Sequence, residues 1–276
     1  MVPLTGAASR ESLAAAIRAL DQLIDRAQAA DLGKVADELF SVTGLLDHEH
    51  GLRRVLADPA TEPDRRQALL ERMLGDRLDP RTLELLRLLV RSRWSAPRDL
   101  ADAVEALGQR AALAVAERGG MLDEVEDELF RFGRILAAEP RLRLLLEDRT
   151  TPAERRVELL DRLVGRRVNP ATRRLLEQAV RSPRGRTLDR AVVELVELAA
   201  ARRERYVAYV TAPGPLSDQQ ERRLTAALRR VYGRQVSLQV AVEPELLGGL
   251  VVRVNDEVID GSVASRLAEL RQRLAG

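Results

Sequence analysis

The sequence has no cysteine, only two histidines and 3% aromatic residues, and of its 45 cationic residues only Lys34 is a lysine. Without thiols there are no disulfide staples, cysteine-ligated zinc sites, iron–sulfur clusters or cysteine nucleophiles, and a reducing compartment fits. So few aromatics leave little stacking surface for single-stranded nucleic acid. No apolar run approaches the roughly 18–20 residues that cross a bilayer. The start, MVPLTGAASRES, lacks the charged-then-apolar layout of a secretory leader. These absences predict a cytoplasmic protein that does not span a membrane.

Charge is abundant but balanced. The 45 cations face 43 carboxylates over 276 residues, a formal net charge of +2, and the two signs are interleaved along the chain. Nucleic-acid binders concentrate positive charge on one stripe or tail, so the arginine content by itself points to no such partner. The length predicts about two domains with ample buried surface.

The sequence repeats itself at an offset of 90 residues without a gap: Val35–Ser92 and Val125–Ser182 share 26 identities in 58 positions. DELF at 37–40 returns at 127–130, and Gly75 and Pro80 return in register as Gly165 and Pro170. Within the unit, Asp79-Pro80 and Asn169-Pro170 read as N-cap plus first-turn proline, and Thr151-Pro152-Ala153-Glu154 as a capping box. Leu83–Val90 is apolar on nearly every side, as in a helix buried in a bundle. Leu100, Val104, Leu107, Ala111 and Val115 keep helical spacing up to Gly119-Gly120. One helix over 97–118 therefore closes the first copy and opens the second.

Beyond Arg205 the pattern changes to strand-like runs. Tyr206–Thr211 ends at Pro213-Gly214-Pro215, and Ser217-Asp218-Gln219-Gln220 opens a helix as a capping box. Val236, Leu238, Val240 and Val242 alternate with period two, Leu250–Val254 and Glu257–Ile259 flank an Asn255-Asp256 turn, and Ser262 caps a last helix through Leu274. The expected fold is mostly α with a small α/β C-terminal domain: two tandem helical bundles sharing one long helix, then a β-α-β-β-α domain. The expected bounds are 1–97 for the first bundle, 98–205 for the second with the shared helix 97–118, and 206–276 for the α/β domain.

Chemistry-bearing motifs are missing. The chain has no GxxxxGK[ST] loop, GxGxxG, HExxH or GxSxG. His48 and His50 lie two apart and point some 200° from each other on a helix, so they do not share a metal. Gly248-Gly249 precedes a strand rather than a helix N-terminus and aims no N–H cluster at a phosphate. Asp260-Gly261-Ser262 has no histidine near it in sequence, and a turn with a helix cap accounts for it. The sequence thus predicts no catalytic residue, no metal and no cofactor.

The C-terminal stretch LSDQQERRLTAALRR and then QVSLQVAVEPELLGGLVVRVNDEVIDGSVASRLAEL resembles the delta subunit of bacterial F-type ATP synthases, the family that includes the mitochondrial oligomycin-sensitivity-conferring subunit. Gly248, Gly249 and Arg253, followed by Asp260, Gly261 and Ser262, carry the most specific part of the pattern. The resemblance covers Pro97–Gly276 at ordinary family length, with the first bundle as an added copy. It implies a non-catalytic stator linker at the cytoplasmic face of the cell membrane, attached only through the complex. That linker joins the alpha subunits of the catalytic head to the b subunit of the peripheral stalk. It also implies a groove for an alpha-subunit helix between the first and fifth helices of a bundle, which in the second copy carry Leu107, Ala111 and Val115 and Leu175, Leu176, Ala179 and Val180. An Arg-rich helical-repeat adaptor binding nucleic acid or another protein is the alternative, with the balanced carboxylates and the C-terminal pattern counting against it.

Overall fold

The computed structural model describes residues 6–165, 167–204, 207–232, 236–246, 248–254 and 257–261. Two compact units divide the chain, residues 1–199 and 200–276. The first unit is all helix: α1 (Ala7–Arg26), α2 (Ala29–His48), α3 (His50–Ala57), α4 (Pro63–Leu74), α5 (Pro80–Arg91), α6 (Pro97–Arg118), α7 (Leu122–Ala138), α8 (Pro140–Glu147), α9 (Ala153–Val164), α10 (Pro170–Arg181) and α11 (Leu188–Glu204), the last running across the division. Helices α1–α5 reappear as α6–α10 and α6 as α11. The sequence offset is therefore an offset of five helices, and α6 serves both copies without a break.

Local chemistry sets these boundaries. Asp79 and Asn169 each accept a hydrogen bond from the backbone N–H two residues on, at 3.0 Å, with a proline in the first turn behind them. The capping box expected at Thr151 does not form. Its hydroxyl donates to Asp148 Oδ2 at 2.7 Å, because the preceding turn folds on the Asp148 carboxylate, and α9 starts at Ala153 with no side-chain cap. Gly165 ends α9 at φ +53°, whereas Gly75 ends α4 in ordinary helical geometry.

A second tier of caps is tertiary, and it repeats. Glu38 on α2 accepts the Asp79 backbone N–H with both carboxylate oxygens, at 3.1 and 3.0 Å, and Glu128 on α7 does the same for Asn169 at 3.0 and 2.9 Å. At the other end of the same helices, buried Arg66 donates to the Ser92 carbonyl at 3.0 Å and buried Arg156 to the Val180 carbonyl at 2.6 Å. A negative group at the start and a positive one at the end both complement the helix dipole. Burial lowers the pKa of both arginines, Asp58 and Asp148 oppose that, and a guanidinium stays charged regardless.

The two copies do not form two cores. One continuous apolar cluster runs from Leu13 through Leu39, Leu89, Leu107, Leu129 and Leu176 to Ala199. Helix α6 lies inside it, with Leu100, Ala103, Val104, Leu107, Ala111 and Ala114 all 0–1% exposed.

The second unit has β1 (Val207–Ala212), α12 (Asp218–Tyr232), β2 (Ser237–Val242), β3 (Val251–Val254) and β4 (Glu257–Asp260) in a sheet of order β2-β1-β3-β4. Strand β1 pairs parallel with β2 and antiparallel with β3, and β3 pairs antiparallel with β4, Val254 facing Glu257. A parallel pair needs a crossover, which α12 supplies. The capping box expected there is present: Ser217 N donates to Gln220 Oε1 at 2.8 Å and Gln220 N to Ser217 Oγ at 3.4 Å. Ala208, Val210, Leu228, Val236, Val252 and Val254 form the small core. Val242, expected on the inward face with Val236, Leu238 and Val240, is 48% exposed as the last residue of β2. The expected turn residues Asn255 and Asp256, Ser262 and the last helix over 263–274 lie outside the described residues.

Candidate functional site

In the α/β unit the C-terminal pattern has a backbone explanation. Gly248 and Gly249 take φ +138° and +85° just before β3, geometry that side chains oppose. Gly261 N donates to the Leu250 carbonyl at 2.9 Å, and a Cβ there would lie 3.1 Å from that same oxygen. Arg253 on β3 sits opposite Tyr209 on β1 with its guanidinium 5.4 Å from the ring centroid. Asp260 ends β4.

In the helical unit the expected groove residues are placed as follows. Leu107, Ala111, Leu175, Leu176, Ala179 and Val180 are 0–4% exposed within the unit's own core, and Val115 is half-buried. The α6 wall of the second-copy groove is packed against the first copy, with α2 foremost, and a hollow of about 520 Å³ lined by α2, Val115 and Arg174 remains at its edge. A Cβ on Gly108 of α6 would lie 2.7 Å from the Phe40 ring and 3.4 Å from Leu39, so α2 and α6 approach almost to backbone contact. Arg174 on α10 holds Asp37 on α2 through Nε at 2.7 Å and Nη2 at 3.2 Å. Ten residues along α2, Asp47 accepts a hydrogen bond from Ser182 and pairs with Arg184 at 3.0 Å.

Arg184 is the centre of a buried ionic cluster. It stands where the first copy has Trp94, at φ +53°, held between Asp47 of α2 and Asp102 of α6, the latter at 2.6 Å. Arg186 joins Glu105 at 2.7 Å and Glu194 at 3.2 Å. Burial pushes the Glu105 carboxyl above its ordinary pKa, more than its two arginine neighbours pull it down. The cluster ties the loop after α10 to the first copy, a structural task, and no group of His, Asp and Glu among the described residues could hold a metal ion.

The recurring DELF shows the repeat dividing its roles. Glu38 and Glu128 cap, and Leu39 and Leu129 are fully buried. Asp37 reaches across to α10, while Asp127 pairs with its own helix neighbour Arg131; Phe40 is covered by α6, while Phe130 is 54% exposed. The first copy's groove between α1 and α5 is open, a cleft of about 490 Å³ whose lining includes Leu23, Arg26, Glu84, Leu85 and Leu88. Apolar periodicity alone did not single out this cleft, although α1 carries Arg18, Gln22 and Arg26 where α6 carries Gly108, Ala112 and Ala116.

Among the described residues, no helix is long and apolar enough to cross a membrane. The family model for the ATP synthase delta (OSCP) subunit matches residues 21–107 and 109–274, the break falling inside α6. The ATP synthase subunit delta of Streptomyces griseus subsp. griseus is 51% identical over 269 residues, covering 98% of this chain and 99% of its own. That of Acidothermus cellulolyticus is 50% identical over 270 residues, covering 97% and 98%. Both relatives extend across the first copy as well as the second. A chain of the Toxoplasma gondii mitochondrial ATP synthase hexamer is 25% identical and covers 61% of this chain and 95% of its own, with a TM-score of 0.31, too loose an overlay to carry an argument. Matched by the family model over nearly its whole length and half identical to such relatives, the chain belongs to the ATP synthase delta (OSCP) family, a structural, non-catalytic subunit of that complex.

Proposed function

We propose that the chain is the linker of the stator. Its helical unit grips an amphipathic N-terminal helix of the alpha subunits on the catalytic head, and its α/β unit grips the end of the peripheral-stalk b subunit. The head is thereby kept from turning with the rotor during proton-driven ATP synthesis. The protein sits at the cytoplasmic face of the cell membrane, held there only through the complex. Family membership over nearly the full length is the observation that carries this reading. The build of the molecule agrees with it, because an open cleft between two helices, with leucines along it and charged residues at its rim, is the geometry in which an amphipathic partner helix buries its apolar stripe.

The arginines give no support to a nucleic-acid adaptor. Those of α10 and its following loop are engaged by carboxylates: Arg173 by Asp161 and Glu177, Arg174 by Asp37, Arg181 by Glu154, and Arg184 and Arg186 by the buried cluster. A phosphate-binding face needs such cations free. The test is a chain ending at Glu204. It should keep binding a peptide of the alpha-subunit N-terminal segment and lose the b subunit. Binding of b as strong as that of the intact chain overturns the division of labour.

A further inference from the structure

A repeat with a shared helix gives each copy a groove between its first and fifth helices, and it closes one of them. Helix α6 is the sixth helix of the first copy and the first helix of the second. It must therefore turn toward the first copy's core the very face that its counterpart α1 turns outward. The residues record this. Arg18, Gln22 and Arg26 on α1 are exposed, while Gly108, Ala112 and Ala116, at the same positions on α6, are buried. On the other wall the pattern repeats, with Leu88 of α5 half-buried and its counterpart Gln178 of α10 4% exposed.

We infer that the partner helix is received by the first-copy groove between α1 and α5, and that the second-copy groove is already occupied along its α6 wall by α2 of the same chain. The contact across the filled groove also indicates the charge of the occupant. There, Arg174 of α10 faces Asp37 of α2. At the matching position α5 carries Glu84, exposed at the rim of the open cleft, with Arg26 on the α1 side. The occupant is an amphipathic helix with its apolar stripe against Leu23 and Leu88, the half-buried leucines of the cleft. It carries a basic residue toward Glu84 and an acidic one toward Arg26. This assignment rests on the stator reading, in which that helix is the alpha-subunit N-terminal segment.

The absence of cysteine makes the test clean. Gln22→Cys in the open groove and Ser41→Cys beside the filled one each introduce a single exposed thiol for a fluorophore, in the full-length chain. The probe is a synthetic peptide of the alpha-subunit N-terminal segment from the same complex, carrying a quencher. Quenching is expected at position 22 and not at position 41. Leu88→Asp should weaken the peptide's Kd at least tenfold. Glu84→Arg, at an exposed position where unfolding is not at issue, should weaken it several-fold, and a peptide with one basic residue changed to Glu should restore it. A peptide that binds the wild-type chain, quenches only the label at position 41 and ignores both substitutions overturns the groove assignment and leaves the stator reading standing. A peptide that does not bind the wild-type chain overturns the alpha-subunit contact itself, and the assignment with it.

Discussion

A missing methyl group sets the distance between α2 and α6. A Cβ on Gly108 would lie 2.7 Å from the Phe40 ring, whereas one on Gly44 of α2 would meet nothing within 4 Å. Gly108→Ala should therefore destabilise the chain by about 1–3 kcal/mol through overpacking. Gly44→Ala should stabilise it by about 0.5–1 kcal/mol through helix propensity. Chemical denaturation of the two variants should give opposite signs. Glu105 provides a second prediction at this scale. Its carboxyl pKa is raised by burial in the folded chain, so its contribution to stability is full below the ordinary glutamate range and is lost as pH rises through the raised value. Relative to Glu105→Gln, the wild-type chain should lose unfolding free energy as pH rises above the ordinary glutamate range. A difference that stays flat with pH would show that the residue keeps its ordinary pKa.

The starts of α5 and α10 show how far a sequence reading reaches at the scale of an element. Asp79-Pro80 and Asn169-Pro170 announce the cap locally, and the caps form. The carboxylates of Glu38 and Glu128 that complete them come from 41 residues away, so no local pattern reveals them even though DELF recurs in plain view. Thr151 shows the converse. Its spacing suits a capping box, but Asp148 three residues earlier takes its hydroxyl first. Glu38→Ala and Glu128→Ala should each cost about 1–3 kcal/mol, the usual penalty for stripping a partly buried N–H of its acceptor. Glu128→Ala should cost more, because that carboxylate also accepts the Thr172 hydroxyl. Thermal unfolding of the two variants checks the order.

The 90-residue offset, the shared helix and the change to strands were all legible at the scale of the whole molecule, because each rests on periodicity. Which groove lies open was not. Leu107, Ala111, Leu175 and Leu176 have the spacing of a helix face, and a helix face looks the same in sequence whether it meets a partner or the chain's own first copy. Only comparing α1 with α6, position by position, separates the two cases. With one core running through both copies, the helical unit should unfold as a single cooperative body. The fluorescence of Trp94, buried in the first copy, and the helical circular dichroism of the intact chain should then share one midpoint in denaturant. Separate midpoints would mean that the copies melt independently. The stator reading itself is tested most directly in inverted membrane vesicles from cells lacking this chain. They should still hydrolyse ATP but fail at proton-driven ATP synthesis, and adding back the intact protein should restore it. Undiminished synthesis in its absence would contradict the account.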